Sequence, residues 1–348
     1  MTRSTADRPV APKPDAPKVS TAEPEQAPGT RTSPQWGHLT ERWALLGLFV
    51  VMMVTFIATA DGFANAQNLR IVLGTGAPLV ILAISAMIPL AIGQFDLSVA
   101  AIAGTAGIAL VAACDRFGMP IWLSITIAVV ISGLIGACSG YLVAVLKVNA
   151  FIVTLGVSTV LQGVVQGYSG GAVLTGDLGW LSDTMTGTLW GIPKGVFWFV
   201  PVAGAIWYLI EHTPTGRHVR AIGSNEGAAG LLGIRTRALT LAAFVLAGVL
   251  AAIAGIAMTV QNGSADPSVT LGTQLLPAMA AVFLGASAFT PGLFNVVGTV
   301  LAVYTVAYLV NGLQYLGAEP WTSPVINGAV LIGAVTIASL LKRNRSRG

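Results

Sequence analysis

The sequence predicts an all-α, polytopic membrane protein of about ten transmembrane helices, with N- and C-termini both cytoplasmic. Three observations carry that expectation. The 348 residues are 54% hydrophobic and only 9% charged, with a mean hydropathy of +0.78. A soluble domain has about a quarter of its residues charged, and 18 Lys+Arg with 14 Asp+Glu cannot cover a globule of this size. The apolar residues fall in long uncharged runs, of the roughly 20 residues that cross a bilayer core. The basic residues fall in alternate connections between those runs, as the positive-inside rule requires. A soluble enzyme, a nucleic-acid-binding protein and a disordered chain are all excluded.

Taken in order, residues 1–40 come first. They hold seven of the 18 prolines among Ala, Thr, Ser and alternating charges. Such a segment buries too little apolar surface to offset its ordering entropy, so a disordered cytoplasmic tail is expected. A secretory signal would start its apolar run near Met1; here the first run starts at Trp43, which predicts an uncleaved span. The uncharged runs are Trp43–Ala60, Ile71–Phe95, Leu97–Cys114, Phe117–Leu146, Val148–Gly176, Gly195–Ile210, Ala238–Ala265, Pro267–Ala318 and Pro320–Leu341. The turn signal Phe289-Thr290-Pro291-Gly292 splits the eighth run in two, giving ten. With the N-terminus inside, 15 of the 18 basic residues are cytoplasmic, and only Arg70, Arg116 and Lys194 fall outside. The expected domains are the tail 1–40, a membrane domain 43–341 with a cytoplasmic loop at 211–237, and a basic cytoplasmic tail at 342–348.

Inside the spans, small residues recur four apart, as at Gly136/Gly140, Gly248/Ala252 and Ala251/Gly255. In lipid such faces let helix backbones approach closely, so they mark a compact bundle. The uncharged polar residues Asn149, Thr154, Gln162, Gln274 and Asn311 have two readings: bonds across helices, or the lining of a polar pathway. Such a pathway would suit a neutral, hydroxyl-rich solute better than an ion. Asp96 stands alone in an apolar stretch, in Gly93-Gln94-Phe95-Asp96-Leu97-Ser98-Val99. It reads as a helix N-cap or as an ion site. Cys114 and Cys138 form no disulfide framework or metal set, and the three histidines, His38, His212 and His218, lie in cytoplasmic segments. An intramembrane enzyme is therefore not expected.

The loop 211–237 is the most informative soluble segment. Asn225 reads as an N-cap, Glu226 suits a first turn and Gly233 a C-terminal stop. Between them a helix of about two turns is expected, with Ala228, Leu231 and Leu232 on one face. That face either docks on a partner or folds back on its own bundle.

The run Gly216–Ile234 resembles the coupling loop of ribose-type ABC importer permeases, a family that also covers permeases for other monosaccharides and autoinducer-2. Gly93–Val99 resembles its Gly-Gly-Ile-Asp-Leu-Ser-Val-Gly signature, and Val148–Gly156 the start of its fifth span. The likeness runs from about residue 70 to 342. It implies a bacterial inner-membrane subunit of ten helices that pairs with a second permease copy. It also implies an ABC ATPase subunit, which binds the ATP and Mg, and a periplasmic or lipid-anchored solute-binding protein. By this likeness Asn225, Glu226, Ala228, Ala229, Leu231, Leu232 and Gly233 form the coupling helix that meets the ATPase. Gly93, Asp96 and Ser98 form the signature. The chain departs from the pattern at Gln94, at Leu276-Pro277-Ala278-Met279 and at Gly285–Gly292, which bears on the solute. No Gly-x4-Gly-Lys-Ser/Thr loop occurs, so no cofactor is expected in this chain and ATP would be hydrolysed by another. The alternative is an ion-coupled secondary transporter using Asp96.

Overall fold

The computed structural model describes residues 35–290 and 292–345, with side chains for all of these except 35–42, 271 and 337–345. Most of the expected tail 1–40, Pro291 of the turn signal, and the last residues of the basic tail lie outside the described residues.

The chain begins with α1 (Gln35–Thr59), which extends six residues into the stretch expected to be disordered. Next comes α2 (Ala66–Ala91), capped by Asn65, whose Oδ1 accepts the Gln67 N–H at 3.0 Å. The helix α3 (Val99–Val111) runs on through a π turn, Ala112–Arg116. It is followed by α4 (Ile121–Ala144) and α5 (Ala150–Ser169). A long connection holds β1 (Leu174–Thr175), the single turn α6 (Gly179–Ser182), and a hairpin of β2 (Thr188–Leu189) and β3 (Ile192–Pro193). Then come α7 (Val196–His212), α8 (Pro214–Ser224), α9 (Glu226–Leu231) and α10 (Thr236–Asn262). Strand β4 (Ser264–Ala265) pairs antiparallel with β1, Leu174 opposite Ala265. A 3₁₀ turn (Pro267–Leu271), α11 (Leu275–Gly285), α12 (Val296–Tyr315) and α13 (Thr322–Arg345) complete the chain.

Each of the ten apolar runs overlaps one of these helices. Six are long and apolar enough to cross a membrane: α2, α3 with its π turn, α4, α5, α10 and α12. The pair α7 and α8, bent by 73°, makes a seventh if taken as one span. The apolar stretches Trp43–Thr59, α11 and Thr322–Thr336 are shorter. Residues 342–345, expected as tail, continue α13.

The centre of the bundle is α10, packed against α2, α3 and α4. Glycine makes this possible. A β-carbon at Gly255 would collide with the carbonyl of Ala103 on α3, and one at Gly248 would sit 2.5 Å from the carbonyl of Ser132 on α4. A second seam joins α2 to α12 by side-chain hydrogen bonds. Asn68 Nδ2 donates to Asn311 Oδ1 at 2.9 Å, and Asn311 Nδ2 donates back to Asn68 Oδ1 at 3.1 Å. One turn on, Tyr308 Oη donates to the Leu69 carbonyl (3.2 Å), and after another turn Tyr304 Oη donates to that of Leu73 (3.0 Å). The faces turned outward are apolar, as at Val51 and Val54 on α1, Leu134 on α4 and Ile152 and Val160 on α5. Lipid tails can cover such faces; water cannot.

Candidate functional site

The site is built at the end of α7. Thr213 ends that helix and caps the next: its Oγ1 donates to the Leu209 carbonyl at 2.6 Å and accepts the Gly216 N–H at 3.4 Å. Pro214 follows at the first position of α8, with φ already suited to a helix. Two glycines let α8 tuck in. At Gly216 a β-carbon would strike the carbonyl of Ile210, and at Gly223 that of Ala91, at the end of α2. Ile222 is buried beneath α8, and an Arg220–Glu211 ion pair ties α8 back to α7. The sequence reading missed this helix because it is polar, yet Thr213-Pro214 is a helix-start signal.

Asn225 then caps α9, its Oδ1 accepting the Ala228 N–H at 3.0 Å, and Gly233, at φ 80°, ends it. The helix is six residues long, shorter than the two turns expected, because Leu232 already turns out of helical geometry. Within α9, Ala229 is 2% exposed and packs into the bundle, on the side away from the face of Ala228, Leu231 and Leu232. Leu231 and Leu232 are 91% and 81% exposed, beside an exposed Ala228. Glu226 bonds Lys147 Nζ at 2.6 Å, so the α4–α5 turn, where Lys147 holds φ 57°, braces the start of α9. The arrangement is a stiff mount presenting two adjacent leucines. Desolvating them against an apolar pocket is worth about 1.5–3 kcal/mol each.

The signature segment lies close to this mount, between α2 and α3. Gly93 takes φ 79°, which only glycine holds without strain, and its α-carbon faces Gly223. Asp96 is buried, and its Oδ1 accepts both the Ser98 N–H (2.8 Å) and the Ser98 hydroxyl (2.6 Å). This corrects the N-cap reading: Ser98 holds the cap position of α3, and Asp96 bonds Ser98 instead of the first helical amides. Oδ2 of Asp96 has no hydrogen-bond partner among the described residues.

The five candidate pathway residues do not converge. Thr154 is fully buried, accepting the Leu97 N–H at 3.1 Å and donating to the Ala150 carbonyl at 2.8 Å, which pins the signature segment to α5. Asn311 is committed to Asn68. Asn149 caps α5 through the Phe151 N–H (2.9 Å) and borders a cleft of about 310 Å³ with Gln94, Lys147 and Glu226. Gln162 Nε2 donates to Ser158 Oγ at 3.2 Å on its own helix. Gln274 lies in a separate cleft of about 520 Å³ between α11, α12 and α13, opposite Ser323 and Asn327.

A bundle with lipid-compatible outer faces and interior amides is a multi-pass membrane protein. The family model described as "Branched-chain amino acid transport system / permease component" matches residues 68–335. The ribose import permease protein RbsC of Haemophilus influenzae is 30% identical over 302 residues, covering 85% of this chain and 92% of that protein. RbsC of Bacillus subtilis is 32% identical over 321 residues (89% and 95%). The xylose transport system permease protein XylH of Escherichia coli is 26% identical over 364 residues (86% and 92%). No solved structure gives a significant match. The chain belongs to the ribose-type family of ABC importer permeases.

Proposed function

We propose that this chain is the non-catalytic membrane subunit of an ABC importer that moves a monosaccharide, or a similar small neutral polar solute, across the bacterial plasma membrane. The names of its relatives, for ribose and xylose, support the solute class, and the scarcity of ionisable side chains in the spans agrees with a neutral cargo. In this reading the chain crosses the membrane ten times with both termini cytoplasmic, the shorter apolar helices completing the six long ones. It pairs with a second permease copy and receives solute from a binding protein outside. A separate ATPase binds ATP and Mg and grips α9.

The observation that carries the reading is the exposed Leu231–Leu232 pair on a helix whose other side, at Ala229, is fixed to the bundle. A surface helix with two bare leucines has a reason to exist if a groove on another protein covers them. The test is co-purification with an ABC ATPase subunit co-expressed from the same genome. Leu231→Asp with Leu232→Asp should abolish association and uptake and leave the thermal midpoint of the isolated permease unchanged. Uptake that survives ATP depletion and collapses with the proton gradient would overturn the reading in favour of ion coupling through Asp96.

A further inference from the structure

At the opposite end of α7 from α9 lies the β2–β3 hairpin. Leu189 pairs with Ile192, leaving a two-residue loop of Trp190 and Gly191. Both have positive φ, 52° and 79°, the geometry of a type I′ turn. Tryptophan is an unusual choice for the first position, where a small polar residue is the norm, and here its ring is 86% exposed. Leu189 and Ile192 beside it are also exposed, so the tip is an apolar knob without a polar rim of its own.

Two observations say what covers it. The Trp190 ring stands edge-on to Phe197, centroids 6.5 Å apart. Phe197 begins the outward face of α7 that continues through Val200 and Gly204 to Tyr208, a face without a charged residue. The tip thus extends the outward apolar surface of α7. The second observation is charge. The Arg70 guanidinium lies against the hairpin, Nη2 3.3 Å from where a β-carbon on Gly191 would stand, and no acidic side chain pairs with it among the described residues. Lys194, just after the hairpin, donates to the backbone carbonyl of Asp183 and likewise has no ion-pair partner among the described residues. Two of the three basic residues that the sequence assigns to the outer side therefore flank one exposed tryptophan.

We propose that this hairpin is an interfacial lipid anchor. Trp190 sits at the boundary of headgroups and acyl chains, where amphipathic rings collect, and Arg70 and Lys194 meet phospholipid phosphates above it. Anionic headgroups are held more strongly than zwitterionic ones.

The test uses the full chain in nanodiscs. The difference in emission between wild type and Trp190→Phe isolates the Trp190 contribution. That contribution should be blue-shifted, lost when the lipids are brominated near the carbonyl end of their acyl chains, and little affected by aqueous acrylamide. Emission quenched by acrylamide and untouched by brominated lipid would overturn the proposal. So would a Trp190 signal that changes only on adding the solute-binding protein, since that makes the tip a protein-docking surface. A second measurement addresses the charges: replacing part of the phosphatidylcholine with phosphatidylglycerol should raise the wild-type thermal midpoint. Arg70→Gln with Lys194→Gln should lose that rise; an undiminished rise would remove the cations from the proposal. Neither measurement depends on the ATPase, so failure here leaves the transport reading intact.

Discussion

The bundle is held together by two seams that solve the same problem in different ways. Where α10 meets α3 and α4, glycines bring backbone against backbone, with no room for even a methyl group at Gly136, Gly248 or Gly255. Where α12 meets α2, side chains keep the helices apart and tie them with the Asn68–Asn311 pair and two tyrosine hydroxyls. Lipid tails are as apolar as leucine, so neither seam gains from the hydrophobic effect. The first depends on shape, the second on satisfying polar atoms. A shape seam fails abruptly on a small addition, whereas a polar seam loses strength one bond at a time.

Substitutions sharpen that contrast. Gly255→Leu should have the largest effect, above about 3 kcal/mol, because a backbone carbonyl and not a flexible side chain occupies the space. It should show as loss of monodisperse protein on size exclusion, whereas a polar-seam variant should stay monodisperse. Asn68→Leu comes next, at roughly 1–3 kcal/mol, since it leaves the Asn311 amide unpaired. Asn68→Leu combined with Asn311→Leu should regain part of that loss in the thermal midpoint, since no side-chain amide is then left unpaired and only the Phe63 carbonyl, which Asn68 Nδ2 also bonds at 3.1 Å, loses its donor. If the double variant were worse than both singles together, the pair would be acting by shape. Tyr308→Phe should cost least, about 0.6 kcal/mol, the usual worth of one interhelical hydrogen bond in a membrane.

What could be read from the sequence follows how local each interaction is. Every apolar run carries a helix because hydropathy is written residue by residue, and the Asn225 cap and Gly233 stop involve neighbours three residues apart or fewer. The orientation of α9 was not legible: whether its Ala229 side or its Leu231 side faces the bundle depends on how α8 and α10 hold it. Nor was the role of Asn311, whose partner Asn68 is 243 positions away, or that of Thr154, whose hydroxyl is taken by a segment it does not adjoin. Asp96 was legible as a capping-type residue but not as the partner of Ser98, which itself holds the cap position of α3. The helix α8 left a readable signal in Thr213-Pro214 but lies in no apolar run.

The 73° corner at Thr213 has a mechanical meaning. Its two arms are α7, 17 residues or about 25 Å, and α8, 11 residues or about 16 Å. The Arg220–Glu211 strut braces the angle between them. For an L-shaped body turning about its corner, end displacements scale with arm length. A sideways push on α9 is therefore returned at the far end of α7 magnified by roughly 1.5. Under the proposed coupling, such a corner would turn a push on α9 into a tilt of α7.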